Sequence, residues 1–272
     1  MKKVIIIGSG FGGLSITSRL RSKGFNTTLI EKHGDLGGRA RTFSHNGYKY
    51  DAGPTVITAP YLIDELFSIH SEKLSDYVNL LPVKPWYRFL FENGEYLDYG
   101  DKLSTTVREI KSKYGYENAK SYIKLLKHSK RIFNKAFIEL SDEPFESIGS
   151  MVKHLPELIR IRFDRSVYQA VDKHIGNKNL NQALSMHPLL VGGNPYSTTS
   201  IYLLIQYLEW KWGVFYAEGG TGKIIDGLEK LLLNKGVEIK KNTEANKIIV
   251  RKNKVIGVET NNGIINCDAV VC

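Results

Sequence analysis

The apolar positions of this chain fall into short continuous runs and helical stripes, and their order predicts its architecture. Val4-Ile5-Ile6-Ile7 is an unbroken β-branched run bounded by glycine, the pattern of a strand buried on both faces of a parallel sheet. Leu14, Ile16 and Leu20 then recur at helical spacing until Gly24, and Thr27 to Ile30 makes a second strand closed by Glu31. This strand, helix and strand enclose the loop Gly8-Ser9-Gly10-Phe11-Gly12-Gly13.

Residues 56 to 70 read as a helix with Pro60 near its start. Tyr87 to Phe91 and Glu95 to Tyr99 flank Asn93-Gly94, a hairpin signal. From 104 to 185 the pattern is mainly helical, most clearly over Ala119 to Leu140. There Tyr122, Leu126, Phe133, Phe137 and Leu140 form a stripe joined by Leu125, Ile132 and Ala136. Residues 186 to 216 are apolar and aromatic, and some of them are candidates to line a tunnel. A helix over Ile224 to Leu233 follows, then strands at Val237 to Ile239 and Ala245 to Val250, and a meander turning at Asn261-Asn262-Gly263. Asp268 to Cys272 opens another apolar strand. The order implies an α/β protein: a Rossmann nucleotide-binding domain in two segments, 1–80 and 216–272, around a mainly helical second domain, 81–215.

Each glycine of the first loop has a mechanical task. Gly8 permits the tight turn, Gly10 lets a pyrophosphate approach the backbone, and Gly13 lets helix and strand pack closely. The helix start offers N–H groups and a positive dipole end to the phosphates. Glu31 stands where a carboxylate accepts hydrogen bonds from ribose hydroxyls. A glycine-rich turn without a ligand would have to place three glycines at the required offsets by coincidence. Gly37-Gly38-Arg39 adds a second close backbone approach and a charge for phosphates, which a cofactor longer than NAD would use.

The combination G-S-G-F-G-G, E-K-x-x-x-L-G-G-R-A and Y-D-A-G-P-T-V-I-T resembles the start of the flavin-dependent carotenoid desaturases, within the flavin amine oxidase superfamily. His187 to Pro195, Trp212-Gly213-Val214 and Gly219-Gly220-Thr221-Gly222 resemble the bacterial phytoene desaturases in particular. The resemblance implies a glutathione-reductase-type Rossmann domain that binds FAD through Gly8, Ser9, Gly10, Phe11, Gly12, Gly13, Glu31, Lys32, Gly38, Arg39, Pro54 and Thr55. It adds Ala245, whose backbone would face the adenine. Members of the family are longer, so the resemblance also implies that the chain is an amino-terminal portion.

Charge and composition change the picture at one point. The chain has 272 residues, enough for about two domains, and carries 38 Lys and Arg against 28 Asp and Glu, a net +10. No apolar run reaches the roughly 18 residues of a membrane span, and Met1-Lys2-Lys3 leads straight into the first strand, so neither an anchor helix nor a signal peptide is expected. Cys267 and Cys272 fit no zinc pattern and read as free cytosolic thiols; no metal site is expected. Lys120, Lys124, Lys127, Lys130, Arg131 and Lys135 cover most of the 119–140 helix outside its stripe, and Leu155 to Phe163 again mixes apolar and arginine residues. Such a helix is either an ordinary surface helix or one that meets anionic lipid headgroups, and two of them near each other favour lipid. Nucleic-acid binding is not expected, since no zinc finger, RNP-like motif or heptad array is present.

The resemblance implies removal of two hydrogens from a saturated carbon pair in a long polyene, a hydride going to the flavin. A phytoene-like substrate of about 40 carbons would cost on the order of 30 kcal/mol to bring into water, so it must be drawn from lipid. A cytoplasmic protein held peripherally at the inner face of the membrane follows. No residue is assigned as catalytic: where the family has acidic and arginine candidates, this chain reads Ile148-Gly149-Ser150-Met151-Val152. His187, a lone histidine, is read as either structural or proton-transferring. A shorter C30 precursor, another flavin amine oxidase substrate, and a catalytically silent FAD-binding or membrane-surface module stay open as alternatives, as does the oligomeric state.

Overall fold

The computed structural model describes residues 1–139, 156 and 159–272. The chain divides into two compact units, one made of Met1–Leu81 with Phe215–Cys272 and the other of Pro82–Val214. In chain order the first unit opens with β1 (Lys3–Ile7), α1 (Phe11–Ser22), β2 (Asn26–Ile30), the hairpin β3 (Thr42–His45) and β4 (Tyr48–Asp51), α2 (Pro60–Ser68) and β5 (Leu80–Pro82). The second unit holds β6 (Tyr87–Leu90), β7 (Tyr96–Tyr99), α3 (Leu103–Tyr114), α4 (Tyr116–Ile132), α5 (Val167–Asp172), α6 (Lys178–Leu184) and α7 (Leu204–Trp212). The first unit resumes with β8 (Phe215–Ala217), α8 (Gly222–Asn234), β9 (Glu238–Lys240), β10 (Ala245–Arg251), β11 (Lys254–Thr260), β12 (Gly263–Asn266) and β13 (Ala269–Val271).

In the first unit a four-stranded parallel sheet runs β13-β1-β2-β9, with Ile5 opposite both Val270 and Thr28. Successive side chains of β1 point to opposite faces. Val4 and Ile6 enter a core with Leu14, Leu29, Phe67, Ile224 and Leu228, whereas Ile5 meets Ile30, Val258 and Cys267. Both faces are therefore covered, which is why the strand is apolar without alternation; each fully buried isoleucine contributes about 1.5–3 kcal/mol. The strands β10, β11 and β12 form an antiparallel meander.

The helix read in the 56–70 segment starts at Pro60, where the sequence put its start and where the missing N–H suits the first helical turn. One element differs from the sequence reading: ahead of that helix Ile57 exchanges backbone hydrogen bonds with Phe215 at 2.9 and 2.8 Å. Phe215, grouped by sequence with the aromatics of the second domain, thereby packs against the core of the first unit.

In the second unit α4 buries Tyr122, Leu125 and Ile132 and leaves Lys120, Lys124, Lys127, Lys130 and Arg131 exposed. After Ile132 the α-helix gives way to π-helical turns over Phe133–Glu139. The wider turn lets Phe133 and Phe137 stack, ring centroids 5.2 Å apart, while Phe133 meets Tyr207 and Trp212. Leu140, the end of the predicted stripe, lies outside the described residues, as do Leu155, Glu157 and Leu158 of the second basic stretch and the segment 148–152. Among the described residues no helix is long and apolar enough to cross a membrane, and no group of His, Cys, Asp or Glu is placed to hold a metal ion.

Candidate cofactor site

The site grows from the end of β1. Gly8, at φ +92°, turns the chain and donates its N–H to the Ile30 carbonyl at 2.8 Å, fastening the loop to β2. Gly10 is the N-cap of α1 and has no side chain to cap it; the first helical bond runs from the Leu14 N–H to the Gly10 carbonyl at 2.9 Å. The N–H groups of Phe11, Gly12 and Gly13 thus have no partner among the described residues, and with the helix dipole they form an anion-binding end. A Cβ on Gly10 or Gly12 would meet open space, whereas one on Gly13 would lie 1.9 Å from the Gly8 carbonyl oxygen. The helix is seated directly on the loop, and the solvent side of the loop is left for a ligand.

Glu31 stands at the end of β2, buried at 6 % exposure. Its Oε2 accepts the Ser9 N–H at 2.9 Å and the Ser9 hydroxyl at 2.6 Å, and its Oε1 accepts the His33 N–H at 3.0 Å. Burial pushes this carboxyl up, but the Ser9 hydroxyl, the two N–H groups and the nearby His33 together outweigh it and hold it below the usual carboxylate range. The group is a fixed anion with an acceptor set suited to hydroxyls. Neighbouring backbone locks it further: the Glu31 N–H donates to the Lys240 carbonyl at 2.9 Å and its carbonyl accepts the Thr243 N–H at 2.8 Å.

The second glycine turn folds back onto the first loop. The Gly37 N–H donates to the Ser9 carbonyl at 3.0 Å and approaches the Ser9 hydroxyl at 3.3 Å, and a Cβ on Gly38 would lie 3.1 Å from the Gly10 Cα. Sequence-predicted residues Gly8 to Gly13, Glu31 and Gly38 are therefore one contiguous structure. Arg39 and Lys32 are exposed, and neither forms an ion pair or side-chain hydrogen bond among the described residues. Gly53 packs on the Arg39 carbonyl, which places Pro54 and Thr55 on the neighbouring loop. The Pro54 carbonyl accepts the Thr221 hydroxyl at 2.7 Å, and Thr55 is exposed. Ala245 begins β10, half-buried against the cluster of Ile5, Ile30 and Val258 and two residues beyond the Thr243 contact with Glu31.

Sequence reasoning missed the part played by Asp51. Its Oδ2 accepts the Thr221 N–H at 3.0 Å, and its Oδ1 accepts the Thr42 hydroxyl at 2.9 Å and the Gly222 N–H at 3.4 Å. It caps α8, which has no acidic residue in its own first turn, and ties the β3–β4 hairpin to the returning segment. The available signal was a carboxylate in the Y-D-A-G-P-T motif and a helix opening Gly-Thr-Gly with no cap of its own.

In the second unit, His187 is buried with its Nε2 3.0 Å from Glu209 Oε2, and the Tyr87 hydroxyl donates to Glu209 Oε1 at 2.7 Å. Burial first, then the Glu209 charge and hydrogen bond, drive the Tyr87 hydroxyl far above the ordinary tyrosine range, so it stays a proton donor. Beside them the Trp210 indole N–H donates to Tyr122 at 2.7 Å and to Tyr99 at 3.2 Å. This arrangement agrees with the structural reading of His187. Across the first unit, the described groups present N–H donors, the carboxylates of Glu31 and Asp51, and exposed cations.

The model of the flavin containing amine oxidoreductase family matches residues 11–272. The chain is 41 % identical over 271 residues to a lycopene-forming phytoene desaturase of Pseudescherichia vulneris, covering 99 % of this chain and 55 % of that protein. It is 38 % identical over 263 residues to the lycopene-forming phytoene desaturase of Pantoea ananas, covering 97 % and 53 %. The chain thus spans about half the length of the curated relatives it matches. The fold is similar to a crystal structure of an oxidoreductase from Methanosarcina mazei, with a TM-score of 0.62 at 19 % identity over 98 % of this chain and 58 % of that one.

Proposed function

This chain belongs to the flavin containing amine oxidoreductase family, and from that premise we propose that it serves an FAD-dependent desaturase of a long-chain carotenoid precursor of the phytoene type. The observation that carries the reading is the glycine loop between β1 and α1, with three unpartnered N–H groups at its helix start and the anionic Glu31 held beside it. The residues fit the cofactor. The N–H groups of Phe11, Gly12 and Gly13 would hold its diphosphate, with Gly10 and Gly38 giving close backbone approach. Glu31 would accept from ribose hydroxyls, with Ser9 orienting it, and Arg39 and Lys32 would supply charge. Pro54, Thr55 and the Ala245 backbone would line the remainder.

When bound, FAD supplies the hydride acceptor. The chain's own work is to hold that cofactor, orient the substrate and exclude water. The substrate class is supported by identity to phytoene desaturases over nearly the whole chain. An oily substrate of that size is best taken from lipid, and the exposed cations of α4 are the means we propose for docking at the inner, cytoplasmic face of the membrane.

The test has two stages. The purified protein is expected to carry flavin absorbance, and colourless protein that takes up no added FAD would reject the cofactor reading. Supplied with phytoene in liposomes, it is expected to yield desaturated polyene. Conversion of only C30 or amine substrates would move it elsewhere in the family, and flavin binding without any conversion would leave a binding module. Pelleting with anionic liposomes should be reversed by high salt; indifference to lipid charge would remove the docking step alone.

A further inference from the structure

The two basic stretches of the second unit meet at one pocket. His128 and Arg131 of α4, Asn134, Lys135 and Glu139 of the widened turns after it, and Arg160 with Ile161 line a cavity of about 480 Å³. Among the described residues its charges do not balance. Glu139 is the one acidic residue among those lining groups, and its carboxylate lies 2.6 Å from the Lys135 ammonium. Arg131 and Arg160 are exposed and form no ion pair or side-chain hydrogen bond among the described residues. His174 lies against His128, ring centroids 6.0 Å apart. Both rings are held below the ordinary histidine range, first by burial; next His174 and then Arg131, Lys173 and Arg165 act on His128, and Lys173, Lys124 and Arg165 on His174.

A concave surplus of cations with unused donors is completed by an anion. Guanidinium groups present planar forks that match the several oxygens of a phosphate, and Asn134 adds a neutral donor. We propose that this pocket is a discrete site for one phosphate-bearing anion, gripped by Arg131 and Arg160. The phosphate is carried either by a lipid headgroup or by a soluble molecule. The site rests on the membrane reading only for the first of these sources. It differs from general surface attraction in being saturable and in depending on two named arginines.

The experiment needs neither flavin nor substrate, so its outcome is separate from that of the desaturase reading. The purified chain is titrated with pyrophosphate and with glycerol phosphate while the His128 and His174 ring resonances are followed. In parallel it is sedimented with phosphatidylcholine vesicles containing phosphatidic acid, with and without pyrophosphate. One saturable site with shifts of both rings is expected. The double variant Arg131→Gln/Arg160→Gln, checked for an unchanged far-ultraviolet spectrum, should weaken it by about tenfold or more. Lys120→Gln/Lys127→Gln, which removes equal charge from the same helix outside the pocket, should leave it intact. Competition between pyrophosphate and vesicles assigns the headgroup as ligand, and its absence assigns the soluble anion. A response that never saturates, or equal losses in the two double variants, would overturn the site.

Discussion

Replacing Gly13 by alanine separates the two tasks of the glycine loop. The added Cβ would stand 1.9 Å from the Gly8 carbonyl oxygen, where ordinary van der Waals contact begins at about 3.4 Å, so the two must part by about 1.5 Å. Neither atom can swing away as a side chain would. Either α1 lifts from the loop, losing the contacts of Leu14 with Val4 and Leu29, or the Gly8 N–H breaks its bond to Ile30. Overpacking of a dense interior costs about 1–3 kcal/mol, and with backbone on one side the upper figure applies. About 3 kcal/mol lowers the melting temperature of a unit this size by roughly 10 °C. Gly10→Ala is the control. Its φ of −63° suits any residue and its Cβ meets open space, so its fold cost stays within about 1 kcal/mol of poorer capping. Urea and thermal unfolding of the flavin-free proteins should rank Gly13→Ala well below Gly10→Ala and wild type, while flavin uptake is lost in both. Equal stability of Gly13→Ala and wild type would refute the seating of helix on loop, and undiminished flavin uptake by Gly10→Ala would refute the use of its open side.

Glu31 has its folded-state pKa below the usual carboxylate range, so the stability it lends is complete above that range and lost as pH falls through the depressed pKa; acid unfolding of Glu31→Gln should lack that loss. Asp51→Ala leaves the Thr221 and Gly222 N–H groups and the Thr42 hydroxyl without their acceptor and is expected to cost about 1–3 kcal/mol by urea unfolding, with Asp51→Asn intermediate. Tyr87→Phe removes one donor from the buried Glu209 and should cost about 1.5–3 kcal/mol; a cycle with His187→Gln should show the two coupled through that carboxylate.

The cofactor site was legible where its chemistry is local. Gly8 to Gly13, the strands on either side and Glu31 lie within one short stretch, and their glycine spacing is dictated by contacts the same stretch makes with itself. The capping role of Asp51 was hard to read, because the N–H groups it caps are 170 and 171 positions away and its motif alone does not say which helix it serves. The widened turns after Ile132 escaped because helical stripes of slightly different period coincide over so few residues, and Phe133 and Phe137, four apart, are neighbours on an α-helix as well. Tyr87, His187 and Glu209 are three isolated polar residues in sequence and become one network when β6, the turn at His187 and α7 come together.

The order of strands in the parallel sheet bears on how the protein is made. The innermost pair, β1 and β2, leaves the ribosome well before the strands that flank it, β9 on one side and β13, whose Ala269 sits beside Val4, on the other. At about 5–20 residues per second, translation of the intervening chain takes on the order of half a minute. Through that interval Val4, Ile5 and Ile6 present unmatched amide groups and bare aliphatic surface to solvent. A nascent chain stalled before Ala269 should accordingly be a strong client of holdase chaperones, and its hold on them should loosen once β13 is made and pairs with β1.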